Sequence, residues 1–175
     1  MRKIASGNNQ INPERAKASR RIIIAALGLP VSPDGKKVLL TKRHAPQYPA
    51  WHDKWQVAGG SLEFGETMEE AVVREMWEEL RVKAVITHPN PIVKSQVWYA
   101  AETDRHMDTQ VILCAYLVTI GDQVPDLTQD PDWETSDWGW FTRDEARALD
   151  GLPLTYPTVE AAFELITQMN MLKSG

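Results

Sequence analysis

The sequence predicts an α/β domain in which helices sandwich a mixed sheet. Three observations predict it. Apolar, β-branched runs recur along the chain, as in "RRIIIAALGL" and "TQVILCAYLVTI". Capped helical segments alternate with them, "TMEEAVVREMWEEL" and "TRDEARALD", and an amphipathic stretch, "YPTVEAAFELITQM", comes last. The 175 residues, 43% of them hydrophobic, suit a single domain with one sizeable core.

The elements follow in order. Residues 1–18 read as a polar lead-in without the apolar stretch of a secretory signal, and residues 19–175 as one domain. Arg20 to Leu29 is a strand, "SPDGKK" a turn, and "KVLLTKR" (Lys37 to Arg43) the second arm of a hairpin. "HAPQYPAWHDK" is a loop, and "WQVAGG" a short strand ending in two glycines. Thr67 to Leu80 is a helix opened by a Thr67/Glu70 capping box, with Val73, Met76 and Leu80 as its apolar stripe. "KAVITH" and "PIVKSQVWYAA" are strands split by "PNP". Thr109 to Ile120 is apolar on both alternating faces, which predicts a central strand covered on both sides. An acidic loop, "GDQVPDLTQDPD", leads to a strand in "SDWGWF", then a short helix boxed by Thr142 and Glu145, then the last helix.

Composition excludes several functions. A net charge of −5 argues against neutralising the phosphates of a nucleic acid polymer. No apolar run approaches the roughly 20 residues of a membrane span. The single cysteine, Cys114, leaves no intrachain disulfide and makes a cytoplasmic setting the expectation. Cys114 itself reads as a small buried hydrophobe. The four histidines show no metal-ligand spacing, and neither a G-x-G-x-x-G nor a P-loop pattern occurs.

The stretch "GGSLEFGETMEEAVVREMWEEL" is the anomaly. At about 100° per residue, Glu75, Glu78 and Glu79 share one helix face. The wheel puts Val73, Met76 and Leu80 opposite, and Ala71 leaves room on the carboxylate side. Like charges one turn apart each cost about 0.2–0.5 kcal/mol. Negative charge in the last turn opposes the helix dipole by about 0.3–1 kcal/mol more. A solvated acidic face is the bland explanation. A divalent cation reverses the sign of the argument, since hard ions prefer carboxylate oxygens. Gly59 and Gly60, just upstream, let backbone approach a ligand closely.

With these residues in place, the segment resembles the Nudix box, G-x5-E-x7-R-E-U-x-E-E-x-G-U, where U is bulky and apolar. Gly60, Glu66, Arg74, Glu75, Met76, Glu78, Glu79 and Val82 match it in sequence and gap; Arg81 stands where a glycine is expected. The resemblance, to the MutT-like branch of the Nudix hydrolases, implies a Nudix-type α/β/α sandwich with a mixed central β-sheet. It implies magnesium, or manganese in its place, held by Glu75, Glu78, Glu79 and the Gly59 carbonyl. Glu66 and Arg74 would orient the cluster, Glu78 or Glu79 would act as general base, and Asp132 or Glu134 would supply a further acidic group from outside the box. The implied activity is cleavage of a P–O–P bridge in a small nucleotide.

Lys42 and Arg43, at a strand end, are candidates for substrate phosphates, against a reading as exposed charges. Trp51, Trp55 and Trp138 are candidates for a flat base-stacking pocket, against a reading as core. Nucleoside triphosphates, modified deoxynucleotides among them, are the leading substrates. Nucleotide sugars such as ADP-ribose are the second, and a non-catalytic nucleotide-binding module the third. A homodimer is compatible with the sequence.

Overall fold

The computed structural model describes residues 20–99, 107–129 and 133–173, so the lead-in expected over residues 1–18 lies outside the described residues. The chain order is β1 (Arg20–Pro30), β2 (Val38–Arg43), β3 (Trp55–Gln56), β4 (Ala58–Ser61), α1 (Met68–Leu80), β5 (Val85–Ile86), β6 (Ile92–Trp98), β7 (Asp108–Thr119), a 3-10 turn (Leu127–Gln129), β8 (Thr135–Phe141), α2 (Arg143–Ala148) and α3 (Thr155–Lys173).

A mixed five-stranded sheet forms the centre. β7 is its hub, as its two-sided apolar pattern predicts: it runs parallel to β1 and antiparallel to β5 and β6. β4 adds to the other edge of β1, antiparallel. Alternation along β1 and β7 divides the core in two. Ala25, Leu27, Ala115 and Leu117 face α2 and α3, with Val159, Ala162 and Phe163. Ala26, Tyr116 and Val118 face α1, with Val72, Met76 and Leu80. Helices therefore cover both faces, and the α/β/α sandwich stands as expected. None of the described helices is long and apolar enough to cross a membrane.

Three expectations change. The turn after β1 forms, with the Ser32 amide donating to Lys37 O at 2.9 Å. Yet the strands meet only at a Val31–Val38 bridge, and β2 leaves for a second, three-stranded antiparallel sheet between β3 and β8. Val38 and Leu40 join the α3-side core and Leu39 the α1-side core, all fully buried, so β2 packs both faces into the same two cores while pairing with β3 and β8. "WQVAGG" divides at Val57 into β3 and β4, one strand for each sheet. Finally, Val73 is 43% exposed; the buried residues of α1 are Ala71, Val72, Glu75, Met76, Glu79 and Leu80. Two glutamates thus lie on the face where the wheel expected only apolar residues.

Candidate active site

The site begins with backbone. Gly59 adopts φ +129°, and a β-carbon there would strike the Ala26 carbonyl and lie 2.8 Å from Leu27 Cα. Only glycine lets β4 lie this close to β1. At Gly60 a β-carbon would sit 2.5 Å from Glu75 Oε1, so the missing side chain makes room for a carboxylate. The space expected from Ala71 comes instead from Gly60, because Ala71 is fully buried in the α1-side core. Downstream, Glu66 braces the loop by accepting from the Glu63 amide at 3.0 Å. Thr67 then starts α1 with the expected reciprocal capping box.

One guanidinium organises the acids. Arg74 Nε and Nη2 donate to the two oxygens of Glu66, at 2.5 and 3.0 Å. Its Nη1 donates to Glu75 Oε1 at 2.8 Å and to Glu78 Oε2 at 2.9 Å, and Nη2 also reaches the Ser61 carbonyl at 3.2 Å. Arg74 thereby draws together carboxylates from the loop and from two turns of the helix. Glu79 is positioned separately: its Oε2 accepts from the Gly59 amide at 3.2 Å, tying the end of α1 to β4.

The electrostatics differ from one carboxylate to the next. Burial pushes the Glu75 carboxyl above its ordinary range; the Arg74 contacts pull it down, and the charges of Glu78 and Glu134 push it up again. Glu66, held by Arg74, is lowered. Arg74 is raised, chiefly by its bonds to Glu66. The cluster carries a surplus of negative charge that one arginine does not neutralise. Among the described residues no three acidic, imidazole or thiol groups enclose a point suited to an ion as they stand; the guanidinium lies between Glu66, Glu75 and Glu78. The donor chemistry still fits a hard divalent cation. All the donors are oxygens, and added positive charge would relieve the desolvated Glu75.

Glu75 and Glu78 line a cleft of about 470 Å³, together with Gly59, Gly60, Arg43 and Glu134. Glu79 does not line it and is 6% exposed. Of the two candidates for the further acidic group, Glu134 stands on the cleft wall; Asp132 lies outside the described residues. The two basic candidates part company. As consecutive strand residues they point to opposite faces, and beside them the pairing of β2 with β8 shifts register at the extra residue Ser136. Lys42 pairs with Asp53 at 3.6 Å, away from the cleft, while Arg43 projects into it.

The tryptophans divide similarly. Trp51 lines an apolar pocket of about 170 Å³ beside the cleft, its ring in edge-to-face contact with that of Trp98. Trp55 packs edge-on to Phe141 against the α3-side core. Trp138 and Trp140 share a face, and both pack against the α1-side core. Sequence reasoning missed the cleft's contribution from α3. Its first turn supplies Thr155 and Thr158, which a pattern of core-packing residues conceals. Cys114, expected to be buried, is partly buried on β7, packed against the α1-side core.

The fold and site are thus a mixed sheet between helices, with an Arg-braced glutamate helix along a polar cleft. The family model for the NUDIX domain matches residues 22–162, and the chain belongs to that family. It is a Nudix hydrolase, acting on substrates that contain a pyrophosphate linkage. Among solved structures, the chain is similar to a MutT Nudix hydrolase from Burkholderia pseudomallei (23% identity, TM-score 0.58, covering 82% of this chain and 97% of that one). It is also similar to a MutT protein from Methanosarcina mazei Go1 (22% identity, TM-score 0.59, covering 86% and 96%). A UDP-X diphosphatase matches as well (18% identity, TM-score 0.58, covering 89% and 67%). At these identities the likeness is one of fold.

Proposed function

We propose that this enzyme hydrolyses nucleoside triphosphates, modified deoxynucleotides among them, to a monophosphate and pyrophosphate. Magnesium is the preferred ion and manganese a substitute. The observation that carries the reading is the convergence of Glu75 and Glu78 on one nitrogen of Arg74, at the wall of a cleft that also holds a cation, Arg43. A polyphosphate needs both signs of charge: donors for its oxygens, and carboxylates for the ion that accompanies it.

The residues present fit that ion. Glu75 and Glu78, with Glu134 across the cleft and the backbone at Gly59, are the groups that would hold it. When bound, a divalent cation neutralises the phosphate oxygens and polarises phosphorus toward attack. The remaining work belongs to the chain. Arg74 gathers the carboxylates on one wall of the cleft and offsets part of their mutual repulsion. Arg43 donates to substrate phosphate oxygens. Glu78, 43% exposed and cleft-lining, is the choice for the base that takes the proton of the attacking water. Glu79, buried and bound to the Gly59 amide, is assigned to anchoring the loop rather than to proton transfer.

Product analysis tests this reading. With ATP and magnesium, the expected products are AMP and pyrophosphate. Preferred turnover of ADP-ribose, to AMP and ribose phosphate, would favour the nucleotide-sugar alternative, to which the fold likeness to a UDP-X diphosphatase lends some support. A folded, metal-supplied protein that cleaves neither class would instead be a binding module.

A further inference from the structure

β6 is a sheet edge without the usual protection. An open edge is a template for further pairing, and proteins blunt it with short strands, proline, bulges or charge. β4 and β5, also at the margins of the central sheet, are four and two residues long. β6 runs seven residues and pairs with β7 in unbroken register, from Ile92 beside Ala115 to Trp98 beside Thr109. Its sequence, IVKSQVW, holds no proline and a single charge, Lys94. Among the described residues, no strand and no backbone hydrogen bond meets its outer edge. Alternate N–H and C=O groups of β6 therefore point away from the sheet.

We propose that a second copy of this chain covers this edge, β6 pairing antiparallel with β6 of the other copy about a twofold axis through Ser95. The sequence of the strand selects both the partner and the register. Residues opposite each other in an antiparallel pair share a sheet face, so a twofold axis normal to the sheet passes through a residue. Through Ser95, it sets Val93 against Val97 of the partner subunit, Lys94 against Gln96 of the partner subunit, and Ile92 against Trp98 of the partner subunit. Apolar meets apolar, and the one ammonium group meets a neutral amide. An axis through Lys94 would oppose two like charges, which is unfavourable. An axis through Gln96 would set Lys94 against an indole and leave Ile92 and Val93 without a partner in the strand.

Side-chain exposure agrees with this register. Val93 and Val97 are 56% and 40% exposed on the α1 face, where the pairing gives each an apolar neighbour. On the other face, Trp98 lines the apolar pocket beside the cleft. Ile92 of the partner subunit would lie next to it, so each copy extends a wall of the other's pocket. A seven-residue ladder buries less than the roughly 1,600 Å² of a standard interface, so the dimer should be micromolar rather than nanomolar.

Sedimentation velocity of the full chain from about 1 to 500 µM tests the pairing. The parent should pass from the 19.8 kDa of one chain to twice that mass across this range. Val93→Lys and Val97→Glu should each weaken the dimer about thirtyfold, because each alters both symmetry-related valine pairs. The double variant V93K/V97E sets opposite charges across the axis and should return to within about fivefold of the parent. Both sites are exposed, and circular dichroism checks that the variants fold. Amide hydrogen exchange in the parent is the second measurement: β6 should slow as the concentration rises. A parent that stays monomeric, a dimer indifferent to the single substitutions, or a double variant no better than either single one would overturn the proposal. Exchange in β6 that is the same at every concentration would also overturn it, protected amides then assigning the edge to a segment of the same chain.

Discussion

Arg74 shows how a helix tolerates glutamates that local stability disfavours. Its planar fork makes contacts with three carboxylates that a lysine could not make together. Removing it strands desolvated negative charge. Breaking a fully buried pair costs about 3–5 kcal/mol; with Arg74 partly exposed, Arg74→Ala should cost about 2–3 kcal/mol, measured by urea denaturation. The neighbouring glycines should fail in different ways. Gly59→Ala drives a β-carbon into backbone, so it should destabilise the fold by about 2 kcal/mol or more. Gly60→Ala meets the end of a side chain, Glu75. It should keep most of the stability while displacing that carboxylate and cutting kcat by about a hundredfold. Equal stability losses in the two variants would contradict the division of labour between the glycines.

At the scale of elements, helix ends were the most legible features. The Thr67/Glu70 and Thr142/Glu145 boxes appear where the sequence places them, because capping is a local interaction. The apolar stripe of α1 was misread through Val73, since a wheel assigns glutamates outward and cannot register that Arg74 and Gly60 make burial of Glu75 tolerable. Arg81, in place of the motif glycine, still takes the left-handed conformation, φ 55° and ψ 31°, and its guanidinium lies 5.6 Å from the Trp77 ring. The stacking and the helix dipole offset part of the strain. An alanine there keeps the strain and loses the stacking, so Arg81→Gly should be more stable than Arg81→Ala by about 1 kcal/mol, the reverse of the usual helix order. Thermal unfolding of the two variants checks this.

The link between α2 and α3 carries a pH dependence. Arg143 and Tyr156 both donate to Glu160, lowering its carboxyl from its ordinary 4.5 to about 2. A depressed folded value means the stabilisation is present above the unfolded value and fades as pH falls toward about 2. Glu160→Gln should therefore be less stable than the parent near pH 6, and the difference should shrink steadily on acidification below pH 4.5.

For the molecule as a whole, the sandwich and the Nudix box were legible, while the second sheet and the shape of the cleft were not. Strand patterns show which faces are buried but not which partner covers them, so β2 looked like the arm of a hairpin with β1. Lys42 and Arg43 look equivalent as strand-end charges, but alternation sends only Arg43 into the cleft and leaves Lys42 beside Asp53. The cleft assembles residues from β1, β2, β3, β4, α1, β7, α3 and the segment before β8, a gathering that only tertiary structure produces. Its charge pattern supports the central claim, that the acids of α1 hold a divalent ion against a polyphosphate. Manganese binding followed by electron paramagnetic resonance, in the parent and in a Glu75→Gln, Glu78→Gln double variant, tests that claim most directly. The account predicts saturable binding in the parent, weakened at least a hundredfold in a folded double variant; equal binding by both, or none by the parent, would contradict it.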